Sequence, residues 1–361
     1  MSERIHGPAS TKITAAHRAG VSGPPRGGRI GWPRAVVLIL SVLLLVVVTF
    51  CYARRPDSCA ALTFWPAWAW PLLGLLLAGL CACRAGRRAV AVVVALWLVF
   101  VVVYVEEAGA LLRFRRLPAA GWQAEENGGL RVISLNCLGQ RAAAREVLPY
   151  RPDIVLLQES PGLKAAEALA EQLFGGEGAA VSGMDGAIVV RGEASPVEPR
   201  SPVFVTQTHV RLQSGLEMEI VNVHLEAPVA RFDLSSGDVW RDHTVKRQVH
   251  RRQMEEIAAR MASVPREMPL IVGGDFNEPA GDAVLAPLNT RLCDTFREAG
   301  LGWGNTVVNE FPVLRIDQVW VSDHFRVAAV AARRTQHSDH RMVICDLVAR
   351  EPARPQSPAP G

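Results

Sequence analysis

What most limits the fold of this chain is a set of apolar, β-branched runs in its last two-thirds, each ending in an acid, an amide or an imidazole. In order the ends read SLN at Asn136, LLQES at Glu159, VNVHLE at His224 and GGDFNEP at Asp275 and Asn277, followed by RID at Asp317 and SDHRM at Asp339 and His340. Short unbroken apolar runs of this kind read as buried strands. Buried strands seldom end in ionisable groups unless those groups converge on something.

The strands expected are Leu130–Asn136, Ile154–Gln158, Ala187–Arg191, Val203–Leu212, Met218–His224, Leu270–Gly273, Gln318–Val321 and Met342–Leu347. Helical periods fit Arg141–Leu148, Leu163–Leu173, Val245–Met261 and Asp282–Leu288. Strands outnumber helices, which indicates an α/β domain with a two-layer β core and helices outside.

Each motif has a bland reading beside a chemical one. In GGDFNEP the glycines allow a close turn after a buried strand. Asp275 and Asn277 then project two residues apart, one able to bind a metal or deprotonate water, the other to donate to a phosphoryl oxygen. Alone, the same residues make an Asx-type turn. Asp339 and His340 are adjacent and point different ways, so they can serve a metal and a phosphate separately. Asp317 is placed to hold a protonated His340; a surface ion pair is the plain alternative. Glu159 past a buried strand suits a hard cation, and Asn136 can ligate or orient. Each, alone, is commonly a satisfied strand-end residue. His224, in an apolar strand, is assigned to phosphate binding or leaving-group protonation. Taken together the groups describe a divalent-metal site for phosphoester hydrolysis.

The order Asn, Glu, His, Asp-x-Asn, Asp, Asp-His over residues 130–350 resembles the endonuclease/exonuclease/phosphatase superfamily, of the pancreatic-type deoxyribonuclease fold, in a membrane-anchored bacterial-type form. That superfamily also includes abasic-site endonucleases, inositol polyphosphate 5-phosphatases and neutral sphingomyelinase-like enzymes. The resemblance implies a four-layer α/β/β/α sandwich of two mixed sheets with the site at the strand ends. It implies Glu159 as the principal Mg²⁺ ligand (Mn²⁺ as a substitute), assisted by Asn136 and Asp339. Asp275 would orient or deprotonate the attacking water, Asn277 and His340 bind the scissile phosphate, Asp317 hold His340, and His224 contact phosphate or assist departure of the leaving group. Gln318 stands where relatives commonly carry an aromatic or aliphatic residue. The domain's single tyrosine, Tyr150, ends a predicted helix, whereas abasic-site endonucleases use a tyrosine near the phosphate; this argues against DNA repair.

The first third of the chain is different. Residues 35–52, 61–82 and 89–105 are three almost unbroken apolar runs, near the roughly 20 residues that cross a bilayer. Nine Lys and Arg lie in the N-terminal tail and the second loop, against five on the other side. That bias places the N-terminus in the cytoplasm and the C-terminal domain outside. Trp65, Trp68 and Trp70 fall at the outer end of the second run, where interfacial aromatics are favoured. The expected organisation is a basic disordered tail (1–34), three transmembrane helices (35–105), a linker (106–129), the catalytic domain (130–350) and a Pro-rich tail (351–361).

Charge divides along the same line. Residues 1–116 hold 14 Lys and Arg against 4 Asp and Glu; residues 117–361 hold 25 against 31. The basic balance therefore belongs to the membrane part. An acidic domain lacks the overall charge of a strong non-specific nucleic-acid binder, although Lys246, Arg247, Arg251 and Arg252 form a candidate basic patch. Residues 227–246 read as a polar loop containing Phe232 and Trp240, either a substrate loop or lid or a solvated insertion. Cys137, Cys293 and Cys345 allow one disulfide whose pairing the sequence does not choose.

The expected function is a multi-pass, membrane-tethered, Mg²⁺-dependent phosphodiesterase facing the outside and hydrolysing nucleic acid or a phospholipid head group. A catalytically inactive metal- or phosphate-binding module on a membrane anchor is the alternative. Transport through the spans is disfavoured, since none carries an internal charge. The bilayer is the expected partner, through the three spans; no protein partner follows from the sequence.

Overall fold

The computed structural model describes residues 31–81, 86–113, 129–197 and 202–350. The first two stretches form α1 (Trp32–Arg54), α2 (Ala60–Thr63), α3 (Ala69–Leu80), α4 (Arg87–Tyr104) and α5 (Glu106–Arg113). Then come β1 (Gly129–Asn136), α6 (Arg141–Arg145), β2 (Ile154–Gln158), α7 (Leu163–Phe174), β3 (Gly178–Ser182), β4 (Ala187–Pro196), β5 (Val205–Leu212) and β6 (Glu217–His224). The chain closes with α8 (Gly237–Ser263), β7 (Leu270–Asp275), β8 (Leu292–Asp294), α9 (Thr295–Ala299), β9 (Asp317–Ser322), β10 (Phe325–Arg333) and β11 (Met342–Ala349).

The strands make one mixed, curled sheet in the order β10-β11-β1-β2-β4-β5-β6-β7-β9-β8, with β3 on β4. Only β1–β2 and β6–β7 pair in parallel, and each parallel step is bridged by helical chain, as such a crossover requires. The curl is made in β4. Its first half pairs with β2 and its second with β5, and between them Gly192 has φ 141°, where a Cβ would stand 2.3 Å from the Arg211 carbonyl.

The two halves face each other across an apolar layer that includes Ile154, Leu156, Ile188, Ile220, Ile271 and Val319. The outer face of one half packs Leu157 and Ile344 against Ala166 and Leu169 of α7. The outer face of the other packs Val221 and Trp320 against Met254 and Ile257 of α8. Both faces of each half are thus buried, which is why the strands read as unbroken apolar runs rather than alternating ones.

Gly274 in β7 has φ 141°, and a Cβ there would meet the Val223 carbonyl at 1.9 Å. Gly274→Ala is expected to destabilise the protein by about 3 kcal/mol or more, from backbone strain plus overpacking. Chemical denaturation of the full chain reads this, and a loss below about 1 kcal/mol would contradict it.

The eight expected strands are all present, with β4, β7, β9 and β11 each extended by two or more residues. Three were not legible. β10 (FRVAAVAAR) is Ala-rich with a bulge, β3 (GAAVS) has little β-forming character, and β8 has three residues. The segment after Asp282 is a 3-10 helix, Ala283–Thr290, since Pro287 lies inside it. Helix α8 starts at Gly237, eight residues before the expected Val245, so only the first part of 227–246 is loop.

The N-terminal part departs most from expectation. Among the described residues two helices, α1 and α4, are long and apolar enough to cross a membrane. The expected middle span is broken: Pro66 lies between α2 and α3, and α3 has 12 residues, about 18 Å at 1.5 Å per residue against the ~30 Å of a hydrocarbon core. The three tryptophans pack inward. Trp70 is buried and its Nε1 donates to Tyr52 Oη at 3.3 Å, Trp65 meets Phe232 (5.6 Å between centroids), and Trp68 meets Trp303 (5.9 Å). The first eight residues of the expected linker are helix α5, fixed to the domain by Glu106 on Arg315 and by Arg113 Nε donating to the Gly300 carbonyl. Of the expected disordered tail (1–34), Trp32 to Arg34 instead begin α1, while residues 1–30, the linker residues 114–128 and the Pro-rich tail 351–361 lie outside the described residues.

Candidate active site

Register alone brings most of the site together. Asn136 pairs with Gln158, one residue before Glu159, across the parallel β1–β2 step. His224 pairs with Asp275, and Asp275 with Asp317, across β6–β7–β9. The two groups of strand ends meet at one rim of the curled sheet. There Asn136 Nδ2 donates to Glu159 Oε1 at 3.1 Å and to Asp275 Oδ2 at 3.2 Å.

His340 lies against the acids from the far side. Its Nδ1 is 2.9 Å from Asp317 Oδ2 and 3.8 Å from Asp275 Oδ2. Burial alone would lower the pKa of this imidazole. The carboxylate of Asp317, then those of Asp275 and Asp339, override it and raise the value to about 10, so His340 is an imidazolium at neutral pH. The converse holds for Asp275. Burial, then the charge of Asp317, raises its pKa, while His340, His224 and the Asn277 N–H oppose the rise.

His224 completes the ring. Its Nε2 is 3.9 Å from Glu159 Oε1 and 3.8 Å from Asp275 Oδ2. Its Nδ1 is hydrogen-bonded to Asp185. Burial lowers the His224 pKa, but Asp185, Asp275 and Glu159 together raise it. Asp185 was not among the sequence candidates. It sits in MDG between β3 and β4, and Asp-Gly between two strands is the ordinary signature of a hairpin turn, so the local sequence hides it. Ser338 was missed as well: its Oγ donates to the Asn136 carbonyl at 2.7 Å and accepts the His340 N–H, tying the SDHRM turn to β1.

Backbone geometry supports a specialised rim. Leu138, Glu159 and Asn277 are non-glycine residues at positive φ (49°, 43° and 49°), a costly conformation that concentrates at functional sites. Asn277 makes the Asx turn that its bland reading expected, its N–H donating to Asp275 Oδ1. Its Nδ2 donates to the Leu225 carbonyl, and an amide nitrogen has a second hydrogen to offer. A buried layer beneath holds the strand ends in place: Gln158 Nε2 donates to Asn222 Oδ1 at 2.6 Å, and Asn222 Nδ2 to the Leu157 and Ala187 carbonyls.

The residues fit a cation. The carboxylates of Asp275 and Asp317 present oxygens within 4.8 Å of one another, beside the His340 ring. Asp317 Oδ1 is buried with no hydrogen-bond partner, a costly state for a carboxylate oxygen. Glu159 adds a carboxylate, 37% exposed, at the mouth. Carboxylate and amide oxygens are the donors a hard divalent ion prefers. Of the three expected metal ligands, Asn136 and Glu159 are adjacent, and Asp339 is an exposed residue whose charge acts on the neighbouring His340 and whose backbone carbonyl accepts the Asn309 N–H. Asp275 and Asp317, to which the sequence gives catalytic roles, lie in the same cluster.

The family model for the Endonuclease/Exonuclease/phosphatase family matches residues 133–340. The chain belongs to this family. It is accordingly an enzyme of the metal-dependent phosphoric ester hydrolase class. Among solved structures, an endonuclease/exonuclease/phosphatase family protein of Bacteroides thetaiotaomicron is 19% identical over 62% of this chain and 98% of its own, with a TM-score of 0.48. A mannosyl-6-phosphatase of the same organism is 20% identical over 61% and 99%, with a TM-score of 0.46. A humanized D. rerio TDP2 is 18% identical over 62% and 100%, also at 0.46. No curated protein matches the chain by sequence.

The remaining expectations about this surface change. Arg247 is buried on Asp282, Arg251 pairs with Asp57 and Lys246 with Glu226. Three members of the candidate basic patch are therefore neutralised. Phe232 packs on Phe64 and Trp65, and Trp240 joins the apolar cluster of the N-terminal helices. The loop is pinned to those helices. Cys137, Cys293 and Cys345 are free thiols; Cys137 and Cys345 are buried, and burial raises the pKa of both, which fits packed rather than nucleophilic cysteines.

Proposed function

We propose that this enzyme is a membrane-tethered, Mg²⁺-dependent phosphodiesterase that hydrolyses nucleic acid or a phospholipid head group, with its catalytic domain on the extracytoplasmic side. The observation that carries the reading is the ring of Asn136, Glu159, Asp275, Asp317, His340 and His224 at one rim of the sheet. We further assign residues 130–350 to the catalytic domain, as a four-layer α/β/β/α sandwich, and α1, α3 and α4 to the bilayer, the shorter α3 returning the chain so that α1 and α4 run the same way and both end at the domain. Lys and Arg counts around the apolar runs support the orientation.

Glu159 and Asn136, with Asp339 as an outer contributor, would hold the Mg²⁺. When bound, such an ion neutralises charge developing on the phosphoryl oxygens. Asp275, its basicity raised by burial, takes the proton of the attacking water. His340, held protonated by Asp317, and the amide of Asn277 donate to the scissile phosphate. His224, oriented by Asp185 through Nδ1, turns Nε2 toward the leaving oxygen and gives it a proton.

The test uses the full chain in lipid nanodiscs, since α5, α2 and the α1–α2 junction supply acceptors to buried arginines of the domain. Turnover of DNA, RNA, a chromogenic phosphodiester and phospholipid is measured with Mg²⁺, Mn²⁺ or a chelator. Metal-dependent cleavage, abolished by the chelator, is expected. A folded protein that binds Mg²⁺ but cleaves none of these would move the reading to a binding module. Asp185→Asn should lower kcat about 10²-fold, the scale of one misplaced proton donor, with little change in melting temperature. Unchanged kcat would remove His224 from leaving-group chemistry.

A further inference from the structure

The helices of the N-terminal part end on the domain around a cavity of about 370 Å³. Arg55 caps α1 there, Val102 to Tyr104 end α4, and Pro279, the last residue of GGDFNEP, and Ala280 form part of its wall. Four arginines line it, Arg55, Arg113, Arg297 and Arg315, against two acids, Glu106 and Glu107.

The arginines are not equivalent. Arg315 is buried and saturated by Glu106 and Asp294. Arg113 donates to the Gly300 and Phe296 carbonyls. Arg55 and Arg297 close on one point of backbone: a Cβ at Gly281 would lie 2.3 Å from Arg297 Nη2 and 3.6 Å from Arg55 Nη2. Their acidic contacts are long, 3.4 Å from Arg55 to Asp282 and 3.6 Å from Arg297 to Glu106. Of the two lining acids, Glu107 is pushed toward its neutral form by burial and by Glu106. Two guanidiniums brought together with loose counter-charges form a receptor for a doubly accepting anion, above all a phosphate.

The place of the cavity says which phosphate. It opens where α1 and α4 leave the length that would lie in the bilayer, beside Tyr52, Trp65 and Tyr104, the residue types that sit at head-group level. Val102 and Val103 at its edge are 83% and 62% exposed, an apolar track leading away from the arginines. We propose that this cavity binds the phosphate of a membrane phospholipid head group through Arg55 and Arg297, with the acyl chains along Val102 and Val103, as a site separate from the catalytic rim. The proposal rests on the membrane-tethered reading.

The full chain is purified in detergent and titrated with phosphatidylglycerol, inorganic phosphate and glycerol 1-phosphate, with bound species counted by native mass spectrometry. One phosphatidylglycerol per chain is expected, with affinity falling at least tenfold in Arg55→Gln/Arg297→Gln and phosphodiester turnover unchanged. Arg297→Gln alone, at a half-exposed side chain, guards against misfolding and should weaken binding at least threefold. Retention unaffected in both variants overturns the site. Equal binding of inorganic phosphate or glycerol 1-phosphate overturns the lipid assignment. Carbonate extraction of membranes separates the two readings: release of the wild-type chain defeats the membrane tether and the proposal with it, while a chain that stays in the membrane but holds no lipid defeats the proposal alone.

Discussion

Asp275→Asn should lower kcat on any phosphodiester this enzyme cleaves by about 10³-fold, within the range for loss of a proton acceptor in the transition state. The substitution keeps shape and removes charge. It should leave the fold intact, because the native carboxylate is itself unfavourable there: burial and the facing Asp317 both raise its pKa, so the ionised form is less stable in the fold than in water. A neutral side chain escapes that cost and keeps one oxygen for the Asn277 N–H, which offsets the loss of the bond that Asp275 Oδ2 accepts from Asn136 Nδ2. A melting temperature within about 4 °C of wild type, or higher, is expected. Activity within tenfold of wild type would refute the assigned role. A comparable loss of activity together with unfolding would make Asp275 structural. Stability and activity opposing each other at one carboxylate is the usual mark of a functional site.

Arg247→Ala is expected to have the largest effect on stability, about 3–5 kcal/mol, the scale for breaking a buried ion pair from one side. Arg247 lies in α8 and is 2% exposed; its Nη2 donates to Asp282 Oδ2 at 2.7 Å, and its Nη1 to the Pro56 carbonyl at 3.2 Å. Thr63 Oγ1 of α2 accepts from the same Nη2. Removing the guanidinium would leave the carboxylate of Asp282 buried, with only Arg55 at 3.4 Å, and beside Glu278, whose pKa burial and Asp282 already raise. It would also remove one of the links between the domain and the N-terminal helices. Thermal melting of the full chain in detergent should show a fall of roughly 10 °C for a protein of this size. Arg247→Lys should recover only part of it, since one ammonium does not reproduce a forked contact to three acceptors. A change below about 1 kcal/mol would mean that Asp282 finds another partner.

The same region explains why the polar loop after Ala227 did not behave as its composition suggested. Phe232 and Trp240 are apolar positions in a polar stretch, and both pack on the N-terminal helices. Nothing in local sequence tells a lid residue from a docking residue; the difference lies in what stands opposite. The basic run at 246–252 is a parallel case. Its spacing matches a patch for phosphates, but three of its cations face acids from elsewhere in the chain, Asp282, Asp57 and Glu226.

Hydrophobic pattern determined a great deal. Eight strands, helix α7 and the class of fold could be read because buried strands impose continuous apolar runs. Seven of the eight named site residues meet at the rim, since a polar residue at the end of such a run has few other reasons to be there. The length of the middle apolar segment could not be read from hydropathy, because prolines end a helix without changing how apolar it is. Asp185 could not be read because the motif that carries it is also a turn. What only the tertiary structure decided was partnership. Asp185 meets His224 across 39 residues, Asp275 shares His340 with Asp317, and Arg247 joins the domain to helices nearly two hundred residues away. Local sequence sets which groups sit at strand ends and on helix faces. Electrostatic partners are set by distances across the folded sheet, and no spacing along the chain encodes those distances.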